Sequence, residues 1–247
     1  MVRLDGAIDP ADTDRIRAAI WAHLGRKLGA AEDDPTTWPS GWLPISWKSL
    51  KRNRAFDVVV ANPSVRDALD VIFEQTGWQA SRSGAQVLFT LPADGPWTLP
   101  DGWHMDGGFE RPTWPTFGVK IFTLVGDVGP CGGGTMVLPG VHHLVDRYRS
   151  TFEHPPGGGK DNWRPFLRRH PPLGELLQGA TMPDGGRSMV ERTFAVDGVD
   201  VQVQELRGAP GDVVITHLHV FHTVSPNTGT VPRQMVANTV FAGTPGA

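Results

Sequence analysis

His222 closes the apolar run GDVVITHLHVFH that begins at Gly211, and Arg233 follows it eleven residues later. Far upstream stands a second pair, His104 and Asp106, separated by one residue. In extended chain, residues two apart project to one face with Cα atoms ~7 Å apart, so both side chains can converge on one ion. Two imidazoles and one carboxylate form the facial donor set that holds one side of an iron(II) ion and leaves the other positions for substrate and O2. A closed four-donor site would give oxygen nowhere to bind. Arg233 then has a matching use, because a cosubstrate with two carboxylates would chelate iron at one end and need a bidentate guanidinium at the other. Each feature alone has a plainer reading: H-x-D recurs by chance, a histidine near a strand end is simply hydrogen-bonded, and an arginine in a turn lies on the surface. The argument rests on their combination.

The elements that must position these groups follow from periodicity and turn formers. Val213, Val214, Ile215, Val220 and Phe221, bounded by Gly211-Asp212 and by Ser225-Pro226-Asn227, predict one strand with Val214, Thr216, Leu218, Val220 and His222 on a shared face. Residues 10–28 predict a helix with Ile16, Ile20, Leu24 and Leu28 inward and Gly29 as its stop, and Asn62-Pro63 opens a second through about Gln75, ended by Gly77. Between them, 31–56 has no period. It carries Trp38, Trp42 and Trp47 and the basic run Lys48-Ser49-Leu50-Lys51-Arg52-Asn53-Arg54, read as a solvated loop. Gln86–Leu91, Phe117–Val125, Thr135–Leu138 and Gln234–Phe241 predict strands, with the glycine-rich 126–134 as a hairpin connection and Thr193–Leu206 as a hairpin around Asp197-Gly198. Residues 143–191, with a helix-like start, the Pro155–Gly159 stretch and the basic Trp163-Arg164…Arg168-Arg169, predict an insert that acts as a lid, its arginines read as a solvated face.

A chain of 247 residues with 39% hydrophobic content is long enough for a sizeable core, and short elements separated by 30 glycines and 22 prolines favour a mainly β architecture in one domain. That domain divides into a helical part at 1–80 and a core at 85–242. Net charge −3 offers no broad footprint for nucleic acid or an anionic membrane. The start MVRLDGAIDPADTDR has no apolar run behind a basic segment, so a soluble, cytoplasmic protein is expected. A single cysteine, Cys131, excludes an intrachain disulfide.

Taken together, Trp103-His104-x-Asp106, the Gly-Gly-x-Met-Val-Leu-Pro-Gly-x-His segment at 133–142, Gly211-Asp212, and His222-x-x-Ser-Pro-Asn ending in Arg233 resemble, in order and spacing, the phytanoyl-CoA hydroxylase-like branch of iron(II)/2-oxoglutarate-dependent oxygenases. The resemblance covers about residues 85–242. It implies a double-stranded β-helix (a cupin-like jelly roll) with helices along one side. It also implies His104, Asp106 and His222 as iron ligands and Arg233 as partner of the distal carboxylate of 2-oxoglutarate. Met105 stands where that family often has glutamine, Val141 where it has serine, and Val224 where a hydroxyl residue assists the arginine. Thr135, Thr223 and Ser225 are candidates to supply that hydroxyl, and Gln86 and Lys120 are further candidates to touch 2-oxoglutarate. The implied activity is hydroxylation of a small organic substrate with decarboxylation of 2-oxoglutarate to succinate. Asp106 argues against halogenation, which needs a small residue there. The rival readings are a metal-binding jelly roll without turnover and a zinc hydrolase on the same ligands, the latter giving Arg233 no role and finding no HExxH helix to supply a base.

Overall fold

A computed structural model describes residues 1–243 apart from 41, 42, 44, 52 and 158. Trp42 of the tryptophan group, Arg52 of the basic run and Gly158 of the glycine stretch therefore lie outside the described residues. The first helix, α1 (Pro10–Leu28), has the ends its sequence predicts: the Asp9 side chain accepts from Ala11 N, and Gly29 at φ 72° donates its N–H to Gly25 O. Ile16, Ile20 and Leu24 are buried on one face. After an irregular 31–56 comes a short α2 (Asp57–Ala61), which the sequence pattern does not announce, and then α3 (Pro63–Phe73), capped by Asn62 and burying Val65, Leu69 and Phe73. α3 stops before the expected Gln75. Glu74 itself takes the left-handed conformation (φ 54°) and donates to Val71 O, so Gly77 is not the cap.

Among the described residues there are eleven strands: β1 (Val2–Leu4), β2 (Gln79–Ala80), β3 (Gln86–Thr90), β4 (Gly118–Leu124), β5 (Thr135–Val137), β6 (Thr193–Val196), β7 (Val199–Gln202), β8 (Gln204–Glu205), β9 (Val213–His217), β10 (His222–Val224) and β11 (Arg233–Phe241). The major sheet runs β1-β9-β4-β11-β2, with β3 also paired to β11, and the minor sheet runs β10-β5-β8. A bridge between His104 and His222 adds a fourth segment to the minor sheet. From β3 onward the chain passes back and forth between the two sheets, which is the winding of a double-stranded β-helix. The fold is mainly antiparallel β with flanking helices, as expected.

Two expectations about strands fail, both because the chain changes sheets. The predicted strand from Val213 to His222 is two strands, β9 in the major sheet and β10 in the minor, separated by a turn in which Val220 N donates to His217 O. Likewise β4 and β5 are not a hairpin. They sit in different sheets, and 126–134 carries the chain across, with Gly134 so close to β8 that an added Cβ would lie 2.5 Å from Leu206 O. The hairpin of β6 and β7 around Asp197-Gly198 does form.

Side-chain alternation gives three apolar layers. Phe122, Leu124, Val137, Val214, Val220, Met235 and Ala237 fill the space between the sheets. The opposite faces of the same strands, with Val119, Ile121, Val213, Ile215 and Val236, bury α1 and α3. The outer side of the minor sheet packs against the insert, made of α4 (His142–Arg149), α5 (Lys160–Arg169), α6 (Pro171–Gly174) and 3-10 turns, through Leu144, Phe166, Leu167, Leu173 and Leu176. Helices thus flank both sheets rather than one side. Arg164, Arg168 and Arg169 are exposed, the solvated face expected of them. No helix among the described residues is long and apolar enough to cross a membrane.

Gly140, between β5 and α4, holds φ 91° and lies so close to the β6–β7 hairpin that a Cβ would sit 2.0 Å from Asp200 O. Gly140→Ala should therefore destabilise the fold by roughly 2–3 kcal/mol. An unshifted Tm in thermal melts would contradict this close approach.

Candidate metal centre

His104 and His222 face each other as a doubly hydrogen-bonded antiparallel pair: His104 N donates to His222 O (3.0 Å) and His222 N to His104 O (2.7 Å). Directly opposed residues point to the same side of a sheet, and their rings lie 4.3 Å apart between centroids. Asp106, two residues further on, shares that side. One donor atom from each of His104, Asp106 and His222 falls within 4.8 Å of the others. Met105 between them points the opposite way and is buried with Trp103 in the core beneath the insert, where an apolar side chain belongs. Val141 is buried in that same core.

These residues fit a divalent ion. His104 Nδ1 lies 3.0 Å from Gly102 O and His222 Nδ1 3.3 Å from Val220 O. A backbone carbonyl on Nδ1 fixes the ring proton there and turns the Nε2 lone pair toward the shared space. Burial holds the His222 imidazole below its ordinary pKa, against the pull of Asp106, so the ring is neutral and able to ligate. Burial works to raise the Asp106 pKa and the Lys120 ammonium, by its charge and its hydrogen bond, to lower it; the net direction is downward, so the carboxylate is ionised beside the neutral His222. Lys120 Nζ is 2.9 Å from Asp106 Oδ2 and 3.4 Å from Gln86 Oε1.

The triad opens on a cavity of about 140 Å³ lined by Gln86, Leu88, Lys120, Phe122, Thr135, Thr223 and Val224. Arg233, on the inward face of β11 with Met235 and Ala237, is 4% exposed. Its Nη1 donates to Thr135 Oγ1 (3.4 Å), while its Nε has no partner among the described residues. Burial lowers its pKa to about 10, which leaves it a cation at neutral pH. A buried, incompletely paired guanidinium is costly unless something anionic meets it. Thr135 sits opposite Val224 in the β5–β10 register, and of the three candidate hydroxyls it is the one that touches Arg233. Thr223 lines the cavity without a contact to Arg233. Ser225 does not line it: its hydroxyl donates to Gly134 O (2.9 Å), with Glu205 Oε1 3.4 Å away.

Residues 1–235 match the phytanoyl-CoA dioxygenase (PhyH) family. The chain belongs to this family. The match takes in α1 to α3 as well as the jelly roll, further toward the N-terminus than the motifs alone reach. No curated protein matches the sequence. Among solved structures, the epimerase SnoN in complex with Fe3+, alpha ketoglutarate and nogalamycin RO superposes with a TM-score of 0.56 at 14% identity, over 100% of this chain and 82% of that one. AviO1 from Streptomyces viridochromogenes Tue57 gives 0.56 at 14%, over 100% and 90%. EvdO2 from Micromonospora carbonacea var. aurantiaca, complexed with 2-oxoglutarate, gives 0.53 at 14%, over 98% and 86%. These likenesses establish a shared jelly-roll fold.

Sequence reasoning missed what steadies the Asp106 loop in this PhyH-family chain. His219 is 0% exposed; its Nε2 lies 3.0 Å from Gly108 O and its Nδ1 3.1 Å from Thr113 Oγ1. Burial lowers its pKa, so the neutral ring donates to Gly108 O from Nε2 and accepts from the Thr113 hydroxyl at Nδ1. Gly107 is pressed against that ring, where a Cβ would be 2.7 Å from His219 Cδ2. Trp163 of α5, named by the sequence as part of the insert, has its ring 5.8 Å from that of His104. The only sequence signal for His219 was its place among three closely spaced histidines. His219→Ala should free the loop: the Gly107 amide, which donates to Leu218 O, should exchange with solvent at least about tenfold faster, the loss of one hydrogen bond's worth of local stability. Unaltered exchange would show that the loop holds itself.

Proposed function

We propose that this chain is a non-haem iron(II)- and 2-oxoglutarate-dependent oxygenase that hydroxylates an unactivated C–H bond of a small organic molecule and releases succinate and CO2. The observation that carries this reading is the convergence of His104, Asp106 and His222 on one cavity that also receives Thr135, the hydroxyl contacted by buried Arg233. In this reading His104, Asp106 and His222 hold the iron, and Arg233 with Thr135 meets the distal carboxylate of 2-oxoglutarate. Gln86, Lys120 and Thr223 line the same space. When bound, iron with 2-oxoglutarate and O2 supplies the oxidising power that breaking such a bond requires.

The chain's own part is orientation and exclusion of water. The Gly102 and Val220 carbonyls keep the ring protons on Nδ1, and Leu88 and Phe122 make the cavity wall apolar. The Lys120 ammonium offsets the charge of Asp106. Arg233 gives a dicarboxylate one fixed direction of entry. Asp106 fills the position that halogenation would need vacant. SnoN is an epimerase, so the outcome at carbon varies across this fold; for this chain hydroxylation is the reading offered. The match across 1–235, with both sheets sharing one interior, supports a single domain.

His104→Ala should abolish succinate release. Arg233→Ala should spare iron binding but raise the KM for 2-oxoglutarate strongly, since losing a buried charge-assisted pair costs ~2–4 kcal/mol. Succinate release matching the wild type in Arg233→Ala at limiting 2-oxoglutarate would contradict the assignment. Replacing iron by zinc should stop turnover; a zinc form that hydrolyses substrate would favour the hydrolase reading instead.

A further inference from the structure

Lys120 stands on β4, between β9 and β11 in the major sheet, opposite Thr216 on one side and Thr239 on the other. Its backbone is fixed by both neighbours, and only its four-carbon stem can carry the ammonium from one partner to another. The residue is 8% exposed and lines the cavity at the triad. Among the described residues two side-chain acceptors meet its Nζ, Asp106 Oδ2 at 2.9 Å and Gln86 Oε1 at 3.4 Å. An ammonium has three donors, so one is left for a further acceptor.

This arrangement sets two cations against one carboxylate. Asp106 Oδ2, the oxygen that meets the lysine, also lies 3.9 Å from His222 Nε2, inside the triad. The charge of Lys120 cancels that of Asp106, so His104, Asp106 and His222 together lack the net negative charge that draws a dication. An oxygen bound to a metal ion is in turn a weaker acceptor for an ammonium. A metal on Asp106 therefore loosens Lys120, and a buried ammonium left with the neutral Gln86 as its partner is unfavourable. A carboxylate brought into the same cavity relieves it.

We propose that Lys120 couples the binding of metal to the binding of dicarboxylate: it pairs with Asp106 until a carboxylate of 2-oxoglutarate takes the ammonium, so each ligand binds more tightly when the other is present. This rests on the oxygenase reading and adds how the two ligands of that site act on each other. Linkage makes the effect reciprocal: the factor by which the dicarboxylate tightens the metal equals the factor by which the metal tightens the dicarboxylate. A lysine that only steadied Asp106 would act with the opposite sign, because its removal would weaken metal binding.

The test is Mn(II), a redox-stable stand-in for iron(II), titrated into the full-length protein with and without saturating 2-oxoglutarate, the free ion being counted by electron paramagnetic resonance. In the wild type 2-oxoglutarate should lower the Kd of Mn(II) by about tenfold or more, and Mn(II) should lower that of 2-oxoglutarate by the same factor in calorimetry. Lys120→Met keeps the stem and removes the charge. It should bind Mn(II) alone at least about fivefold more tightly than the wild type, and the tightening by 2-oxoglutarate should shrink by the same factor. Lys120→Gln serves as the neutral variant should Lys120→Met lose the wild-type circular dichroism. Undiminished coupling in the neutral variant, or weaker binding of Mn(II) alone, overturns the proposal and leaves the oxygenase reading standing. Mn(II) binding in the wild type that ignores 2-oxoglutarate overturns both.

Discussion

The two backbone hydrogen bonds between His104 and His222 are the constraint on which the site depends. They are a sheet contact of one residue pair, yet they decide where two imidazoles point, because directly opposed residues in an antiparallel pair share a face. Asp106 joins them from the bend that follows His104, which His219 holds through Gly108 O. The apolar layer between the sheets keeps β10 in register with β5, so the position of His222 is an outcome of core packing around Val137 and Val220. Of the three side chains, that of His222 stands on a strand, that of His104 on the bridge to it, and that of Asp106 on the bend that follows.

Charge and burial then act in opposite directions at the triad and at Arg233. At the triad, burial keeps His222 neutral while the Lys120 ammonium keeps Asp106 ionised, the protonation states that ligation needs. At Arg233 a guanidinium is buried with one hydroxyl contact and an Nε unpartnered among the described residues, an arrangement that is unfavourable by itself. Thr135 connects the two places, lining the cavity at the triad and accepting the Arg233 hydrogen bond.

Much of this was legible from the sequence because it rests on local rules. The Asp9 and Asn62 caps, the period of α1 and the alternation in β4 and β11 are set by neighbours along the chain. H-x-D placed two donors on one face, and Arg233 was found from the chemistry it would serve. What failed was non-local. Nothing in Val213–His222 or in 117–138 marks where the chain leaves one sheet for the other, since apolar residues face the shared interior on both sides of each crossing. The cap at Glu74 depends on a left-handed backbone that glutamate rarely adopts. Ser225 was a reasonable candidate by distance along the chain, but its hydroxyl is used by Gly134 O. His219 and Thr113 reach the site only through tertiary contacts, and no spacing rule points to them.

The central claim is that three distant residues hold one ion. The most direct measurement is an anaerobic titration of iron(II) into the protein in the presence of 2-oxoglutarate, read as metal bound per chain and by visible absorption of the iron complex. The account predicts saturation at about one equivalent, with an absorption that is lost in His222→Ala and in Asp106→Ala while circular dichroism shows both variants folded. Undiminished iron binding in either variant, or no saturable iron binding in the wild type, would contradict it.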